Sequence, residues 1–357
     1  MSIDATENTV SAAEAEAFVT ALLSKAGLQD AAAAGVSRAI VDAELAGLSS
    51  HGLSQLPMYV RRLQLGSVST ASRAVIVEDR DAIAVLDAQG MFGQLAGDQA
   101  MQIAIEKSRR FGVGVVAVRN SFHFGAAGRF AQQASDSDCI GMAMCNTKPM
   151  MPAPGGAERL VGNNPLAVGI PAKDGADFLL DMALSEAALA KVRIADRENR
   201  PIPATWAVDK DGTPTTDAKA AIAGMMLPAG GAKGFGLALA INLLASGLAQ
   251  GPGGDDVPSM YDDLAKPFVC SLLFIAFDIA HFRGVDSLRV DVGAALNRMR
   301  QSRSPGESIR TPGQRNAESR HQKAQGFAVP RSLADTLNAL SRDLGLSLRM
   351  ADVKAPN

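Results

Sequence analysis

Apolar positions at the start of the chain recur at helical spacing. Residues 12 to 26 and 30 to 48 are rich in alanine and are separated by Gly27 and Asp30, which predicts two helices. The stretch SSHGLSQLP breaks the pattern, ending at Pro57, and Met58 to Leu65 resumes it. Residues 74 to 77 and 83 to 86 form a strand pair across the charged turn at Glu78 to Asp81. Leu95 to Arg110 is a strong helix and Gly114 to Val118 a buried strand, with a further helix over 125 to 135 and a strand over 140 to 145. Such alternation predicts an α/β architecture around a largely buried sheet.

The middle of the chain is richer in turns. PAPGG at 152 to 156 and GNNP at 162 to 165 precede strands near 166 to 170 and 178 to 182, then a helix over 185 to 196. Gly230 to Gly236 is a glycine-dense turn opening a long apolar helix to Ala249, followed by the loop GPGGDD at 251 to 256. A strand at 268 to 277 and a helix at 287 to 300 come next. Gln301 to Gln325 is polar and holds Pro305, Gly306, Pro312 and Gly313. A segment of that length without secondary structure, inside a compact chain, is functional or mobile.

The chain has 357 residues, enough for two ordinary domains or one large domain with an insertion. A hydrophobic share of 47% against 20% charged residues excludes a disordered protein. Aromatics supply only 4%, so aliphatic side chains and Met must fill the core. Thirty-five basic and 37 acidic residues leave a net charge of -2, no footprint for nucleic acid. Cys139, Cys145 and Cys270 form neither a CxxC pair nor a zinc spacing and read as buried thiols in a reducing cytosol. The N-terminus MSIDATENTV has none of the features of a signal peptide, and the apolar run Phe268 to Phe277 is too short to cross a bilayer. A cytoplasmic protein without membrane or nucleic-acid partners is expected.

Four histidines occur. His51 sits in Ser50-His51-Gly52 on a turn, where an imidazole can face a cleft and transfer a proton near neutral pH. Ser50 can hold one ring nitrogen; a surface or capping role fits the same residues. His123 lies in SFHFGAAGRF, where strand, glycine turn and helix place backbone N–H groups at a helix N-terminus that can bind phosphate. An ordinary strand-to-helix turn fits equally. His281 and His321 have no companions. There is no GxGxxG after the first strand, and the Gly230 to Gly234 turn lacks the ending of a P-loop. That turn still favours an anion, which Lys233 could meet, unless the lysine is merely solvated. Scattered histidines without carboxylate clusters argue against a metal site.

Taken together, the chain resembles the malate/L-lactate dehydrogenase-like family, which is unrelated to the Rossmann dehydrogenases. The resemblance runs from about Ile40 to Pro330. It is carried by SHG at 50 to 52, SFHFGAAG at 121 to 128, GNNPLA at 162 to 167 and LDMALS at 180 to 185. IPATWAVDKDGTPTTD at 202 to 217 and LPAGGAKGFGLAL at 227 to 239 extend it. It implies a non-Rossmann α/β fold, with an NAD(P)-binding domain (119 to 299) inserted in a substrate-binding and dimerisation scaffold (1 to 118 and 300 to 357), usually homodimeric. It implies hydride transfer between NAD or NADP and a small 2-oxo or 2-hydroxy acid, with Δ1-piperideine/Δ1-pyrroline-2-carboxylate reduction as the alternative substrate class. His51 becomes the proton donor and Ser50 its relay. The cofactor falls to His123, Phe124, Gly125, Asp181, Met182, Ala183, Gly231, Lys233, Pro312 and Gly313, and no metal is implied.

Several positions depart from the family pattern. The arginine usual four residues after the histidine is Gln55, which has no charge and no bidentate fork. Arg61 and Arg62 follow one or two turns later and are candidates to compensate. Asn163 replaces the threonine of GTNP, Leu184 a threonine, and Gln314 the common glutamate after Pro-Gly. Substrate contacts are therefore expected from Gln55, Asn163 and Arg61. Gln55 and Leu184 also motivate a second reading, a non-catalytic relative that binds nucleotide or a small acid.

Overall fold

The computed structural model describes residues 8–304 and 306–350. Strand β1 (Asn8–Val10) leads into helices α1 (Ala12–Lys25) and α2 (Asp30–Leu45). Ser11 starts α1 with a reciprocal cap: its hydroxyl accepts the Glu14 N–H, and the Glu14 carboxylate accepts the Ser11 N–H. Two short 3-10 turns, Ser49–His51 and Leu53–Gln55, precede α3 (Leu56–Gln64). Pro57 sits in the first turn of α3, where a missing N–H costs nothing.

The central part alternates β2 (Val75–Arg80), β3 (Ile83–Asp87), α4 (Gly93–Phe111), β4 (Val113–Ser121), α5 (Ala127–Ser135) and β5 (Cys139–Cys145). Strands β6 (Leu166–Ile170) and β7 (Phe178–Met182) follow, then α6 (Leu189–Arg197), β8 (Ala207–Val208), α7 (Ala218–Ala223), β9 (Met225–Met226) and α8 (Ala232–Ala249). The chain closes with β10 (Cys270–Asp278), α9 (Val285–Gln301), α10 (Gln314–Gln322), β11 (Phe327–Val329) and α11 (Arg331–Asp343).

One seven-stranded sheet has the order β2-β3-β4-β10-β5-β6-β7. Its pairings are antiparallel except β3 with β4. Period-two alternation on the central strands builds two cores. Val116, Val118, Ala143, Leu272 and Phe274 face a cluster shared with α1 to α4 and α11. Ala117, Met144 and Leu273 face a second cluster under α6, α7 and α8. β1 pairs with β11, tying the two ends of the described chain together. The expected domain boundary at 118/119 falls within β4.

Three expectations fail locally. The charged turn expected at Glu78 to Asp81 is strand as far as Arg80, which pairs with Ile83. The helix read over 185 to 196 begins only at Leu189, because Ser185 forms a β-bridge with Pro228. The polar stretch 301 to 325 is not structureless, since α10 occupies Gln314–Gln322. No residue of α10 is buried, so no apolar period marks it; polar contacts hold it instead. Arg320 makes a two-nitrogen contact with Asp42, and Lys323 donates to the Glu44 carbonyl at 2.6 Å. Helix α8 alone among the described residues is long and apolar enough to cross a membrane by length and composition. Here it packs Ala238, Ile241 and Ala245 onto the sheet.

Candidate active site

The turn that carries His51 is built on a buried carboxylate. Glu44, in the last turn of α2, takes the Leu53 N–H on Oε1 at 2.8 Å and the Ser49 hydroxyl on Oε2 at 2.7 Å. Gly52 is required between them: a Cβ there would lie 2.2 Å from Glu44 Oε1. Held this way, Ser50 Oγ meets His51 Nδ1 at 3.0 Å, and His51 Nε2 has no hydrogen-bond partner among the described residues. Burial lowers the His51 pKa, so the ring is neutral at pH 7.

His123 follows β4 and stacks on His51, with ring centroids 5.8 Å apart and planes inclined by 19°. Its Nδ1 lies 2.6 Å from the hydroxyl of Tyr59, a fully buried residue of α3. Gln94 Nε2 donates to that same hydroxyl at 3.0 Å. With Gln94 supplying a donor, the Tyr59 proton goes to His123 Nδ1, which leaves the His123 proton on Nε2. Burial, and then the neighbouring His51, push the His123 pKa down to about 3.

A depressed histidine pKa has a defined stability consequence. Between the unfolded value near 6.5 and about 3, only the unfolded chain takes up the proton. The contribution is therefore intact above pH 6.5 and is lost as pH falls through that window, at up to ~1.4 kcal/mol per pH unit for one group. Chemical denaturation from pH 7 to 4 should show this slope, and His123→Gln should flatten it. An equal slope in the variant would show that other groups carry the acid sensitivity.

The remaining expected residues divide between neighbouring segments. Gly125 adopts φ +80°, the left-handed region, with the Gln94 side chain beside it. Phe124 is buried and stacks on Phe130, so its ring belongs to the core. Asp181 Oδ2 accepts the Gly128 N–H at 3.0 Å at the start of α5, and burial raises its pKa against that bond. At the α5 N-terminus, read as able to bind phosphate or as an ordinary turn, the Gly128 N–H is thus already taken by a carboxylate. The start of α8 carries no such side-chain cap. Gly230 and Gly231 open it at φ +62° and +63°, with free space around both and with exposed Lys233 next along.

Met182 is half-buried against the second core and Ala183 is exposed. Leu184, the next residue, donates to the Asn163 carbonyl and accepts from the Ala229 N–H, which joins both segments to the glycine turn. The Asn163 side chain accepts from the Thr147 hydroxyl at 2.8 Å. Pro312 accepts the Leu179 N–H, and Gly313 lies so close to Leu179 that a Cβ would approach to 2.8 Å. Pro312 and Gly313 thus dock beside β7, the strand that carries Asp181 and Met182.

The arginines do not replace the missing clamp. Arg62 is fully buried and donates to the carbonyls of Met260, Leu264 and Lys266, pinning that loop. Arg61 is exposed and lies about 200° round α3 from Tyr59, the residue of that helix that meets His123. Gln55 is tied at both ends instead. Its Nε2 donates to the Ser50 carbonyl at 2.7 Å and its Oε1 accepts the Tyr261 hydroxyl at 3.2 Å.

Sequence reasoning missed Glu44, Tyr59, Gln94 and Tyr261. A usable signal was present, since the chain has only two tyrosines and both stand here. A polar cleft of about 950 Å³ opens elsewhere, between α2, α5 and α10, and reaches Gly313. Two ion pairs line it, Arg129 with Asp98 and Arg320 with Asp42, and it lacks both histidines. Among the described residues no group of three or more His, Cys, Asp or Glu is placed to hold a metal.

Fold and site together define an α/β dehydrogenase that lacks the dinucleotide fingerprint. Residues 10–338 match the family described as malate/L-lactate dehydrogenase, and the chain belongs to that family. It is 37% identical over 331 residues to the L-sulfolactate dehydrogenase of Methanocaldococcus jannaschii, covering 92% of this chain and 94% of that protein. It is 34% identical over 330 residues to the (2R)-3-sulfolactate dehydrogenase (NADP(+)) of Chromohalobacter salexigens, covering 92% and 97%. The solved sulfolactate dehydrogenase of M. jannaschii superposes with a TM-score of 0.90 at 34% identity, over 97% of this chain and 99% of that one.

Proposed function

We propose that this protein moves a hydride between NAD or NADP and a small 2-hydroxy acid, with His51 exchanging the hydroxyl proton. The observation that carries the reading is a neutral His51 held by Ser50, with Nε2 free and His123 stacked beside it. For oxidation, His51 must offer a lone pair. Its Nδ1–H then donates to Ser50 Oγ, and Nε2 takes the proton from the substrate hydroxyl. In the reverse direction the protonated ring returns it to the 2-oxo acid. The Gln55 and Asn163 amides orient the carboxylate beside the reacting carbon.

The residues present fit a nicotinamide dinucleotide. Gln94 Oε1 is buried without a partner, on the side chain whose Cγ and Nε2 lie beside Gly125, where the cofactor was expected to approach. Asp181 keeps one oxygen without a hydrogen bond among the described residues, available to a ribose hydroxyl. The uncapped α8 start with Lys233 suits the pyrophosphate. When bound, the cofactor accepts or gives the hydride. His123 Nε2–H, Gly125, Asp181 to Ala183, Gly231, Lys233, Pro312 and Gly313 are the groups that would hold it. In this reading residues 119 to 299 form the cofactor-binding unit and the flanking segments the substrate scaffold. Turnover of NADH and NADPH against a panel of 2-oxo acids tests the function. No activity with any member, alongside retained cofactor binding, would favour a binding protein instead.

The protein is further proposed to be a cytoplasmic homodimer. Leu237, Leu243, Leu244 and Leu248 are 40%, 60%, 44% and 51% exposed along one side of α8, an apolar face that a second copy would cover. Leu243→Glu with Leu244→Glu is expected to convert a dimer to a monomer in sedimentation analysis. A dimer of unchanged stability would place the interface elsewhere.

A further inference from the structure

We propose that Lys148 is the cation that reads a second, distal acid group on the substrate and so selects diacids over monoacids. The inference rests on the dehydrogenase reading above and starts from the absence of a cation at position 55.

A continuous set of contacts runs from His51 to Lys148. Ser50 Oγ meets His51 Nδ1, and the Ser50 carbonyl accepts from Gln55. Gln55 accepts from the Tyr261 hydroxyl, and Asp262, the next residue, pairs with Lys148 Nζ at 2.9 Å. From the other side, Lys148 follows Thr147, whose hydroxyl donates to Asn163 at 2.8 Å and whose N–H donates to Asn164 at 2.8 Å. The backbone that leads into Lys148 is thus fixed to Asn164, and the Thr147 hydroxyl beside it to Asn163, the asparagine expected at the substrate. One route, from His51, ends on the Lys148 ammonium group, and the other, from Asn163, ends on the backbone that carries it.

The charge balance favours an incoming anion. Side chains of Lys148 and Asp262 are 44% and 73% exposed, and such pairs are weak enough to exchange. Arg193 on α6 adds its field at Tyr261 and Asp262 and makes no ion pair among the described residues. Lys148 alone pairs with that carboxylate, and Arg193 is a second cation on the same side. The Gln55 and Asn163 amides suffice to orient the carboxylate at the reacting carbon but cannot balance a second charge. Lys148 lies farther from His51 along this set of contacts, which suits an acid group beyond that carbon.

The test compares kcat/KM for a hydroxy diacid, malate, with that for a monoacid, lactate. Lys148→Met is expected to lower the diacid-to-monoacid ratio about tenfold or more, one charge-assisted contact, with the change in KM rather than kcat. Lys148→Arg should restore the ratio. Asp262→Asn, which releases the ammonium, should raise it. An unchanged ratio in Lys148→Met, or equal losses on both substrates in Lys148→Met and Asp262→Asn, would overturn the proposal and leave the pair a loop tether. Calorimetry of the non-reacting acids succinate and butyrate with cofactor bound decides the same point without turnover. Absence of turnover by the wild type would refute the dehydrogenase reading, and the calorimetric difference would still decide Lys148.

Discussion

His51→Ala should lower turnover by roughly a hundredfold or more, the usual range for a lost general acid or base. Cofactor affinity should change little, because Nε2 has no hydrogen-bond partner among the described residues and is the atom left for substrate. The pH profile separates a chemical role from a structural one. Oxidation needs the neutral ring, and burial holds the His51 pKa below its ordinary 6.5. The acid limb of kcat/KM for hydroxy-acid oxidation should therefore fall below pH 6.5, with activity lost as the pH drops through it. In His51→Ala that limb should vanish from the residual activity. Near-normal turnover, or an intact acid limb in the variant, would remove His51 from the chemistry and point to His123. The variant should fold, since the site turn is held through Glu44 rather than through the imidazole.

The elements that sequence patterning read well are those whose apolar period is carried by packing. α4 and the strands β5, β6 and β10 each bury several side chains, and their limits lie within a few residues of expectation. α10 shows the opposite case. It is held by Arg320 and Lys323 on α2, and long-range polar contacts leave no period in the sequence. Sheet order was not legible either. β10, late in the chain, inserts between β4 and β5, and nothing local to residues 270 to 278 specifies its neighbours.

The site divides the same way. Ser50, His51 and His123 were legible because histidine is scarce here and each sits at a glycine-bearing turn. Their supports were not, since Tyr59 and Gln94 read as ordinary helical residues until α3 and α4 meet at His123. Arg62 misled for a related reason. A cation about two turns beyond Gln55 looks available, yet its guanidinium is consumed by three backbone carbonyls. The α5 N-terminus stayed open between two readings because its cap, Asp181, lies 53 positions away from Gly128 in sequence.

Gly52→Ala should cost roughly a hundredfold in turnover without touching any reacting group, by moving His51. The methyl group would stand 2.2 Å from Glu44 Oε1 and 2.5 Å from its carboxyl carbon, well inside contact distance. Glu44 cannot swing aside freely, because both oxygens are bonded, one to the Leu53 N–H and one to the Ser49 hydroxyl. Either the carboxylate leaves and both partners lose their acceptor, or the Ser49–His51 turn shifts outward. A displacement of about 1 Å at a reacting group is enough for a hundredfold loss. The route through Glu44 can be isolated with a double-mutant cycle. Glu44→Ala alone should also lower turnover, since the turn loses its anchor. In the Glu44→Ala background, Gly52→Ala should add little, because the atom it collides with is gone. Additive losses in the cycle would mean that Gly52 is needed for its backbone and that Glu44 does not position His51.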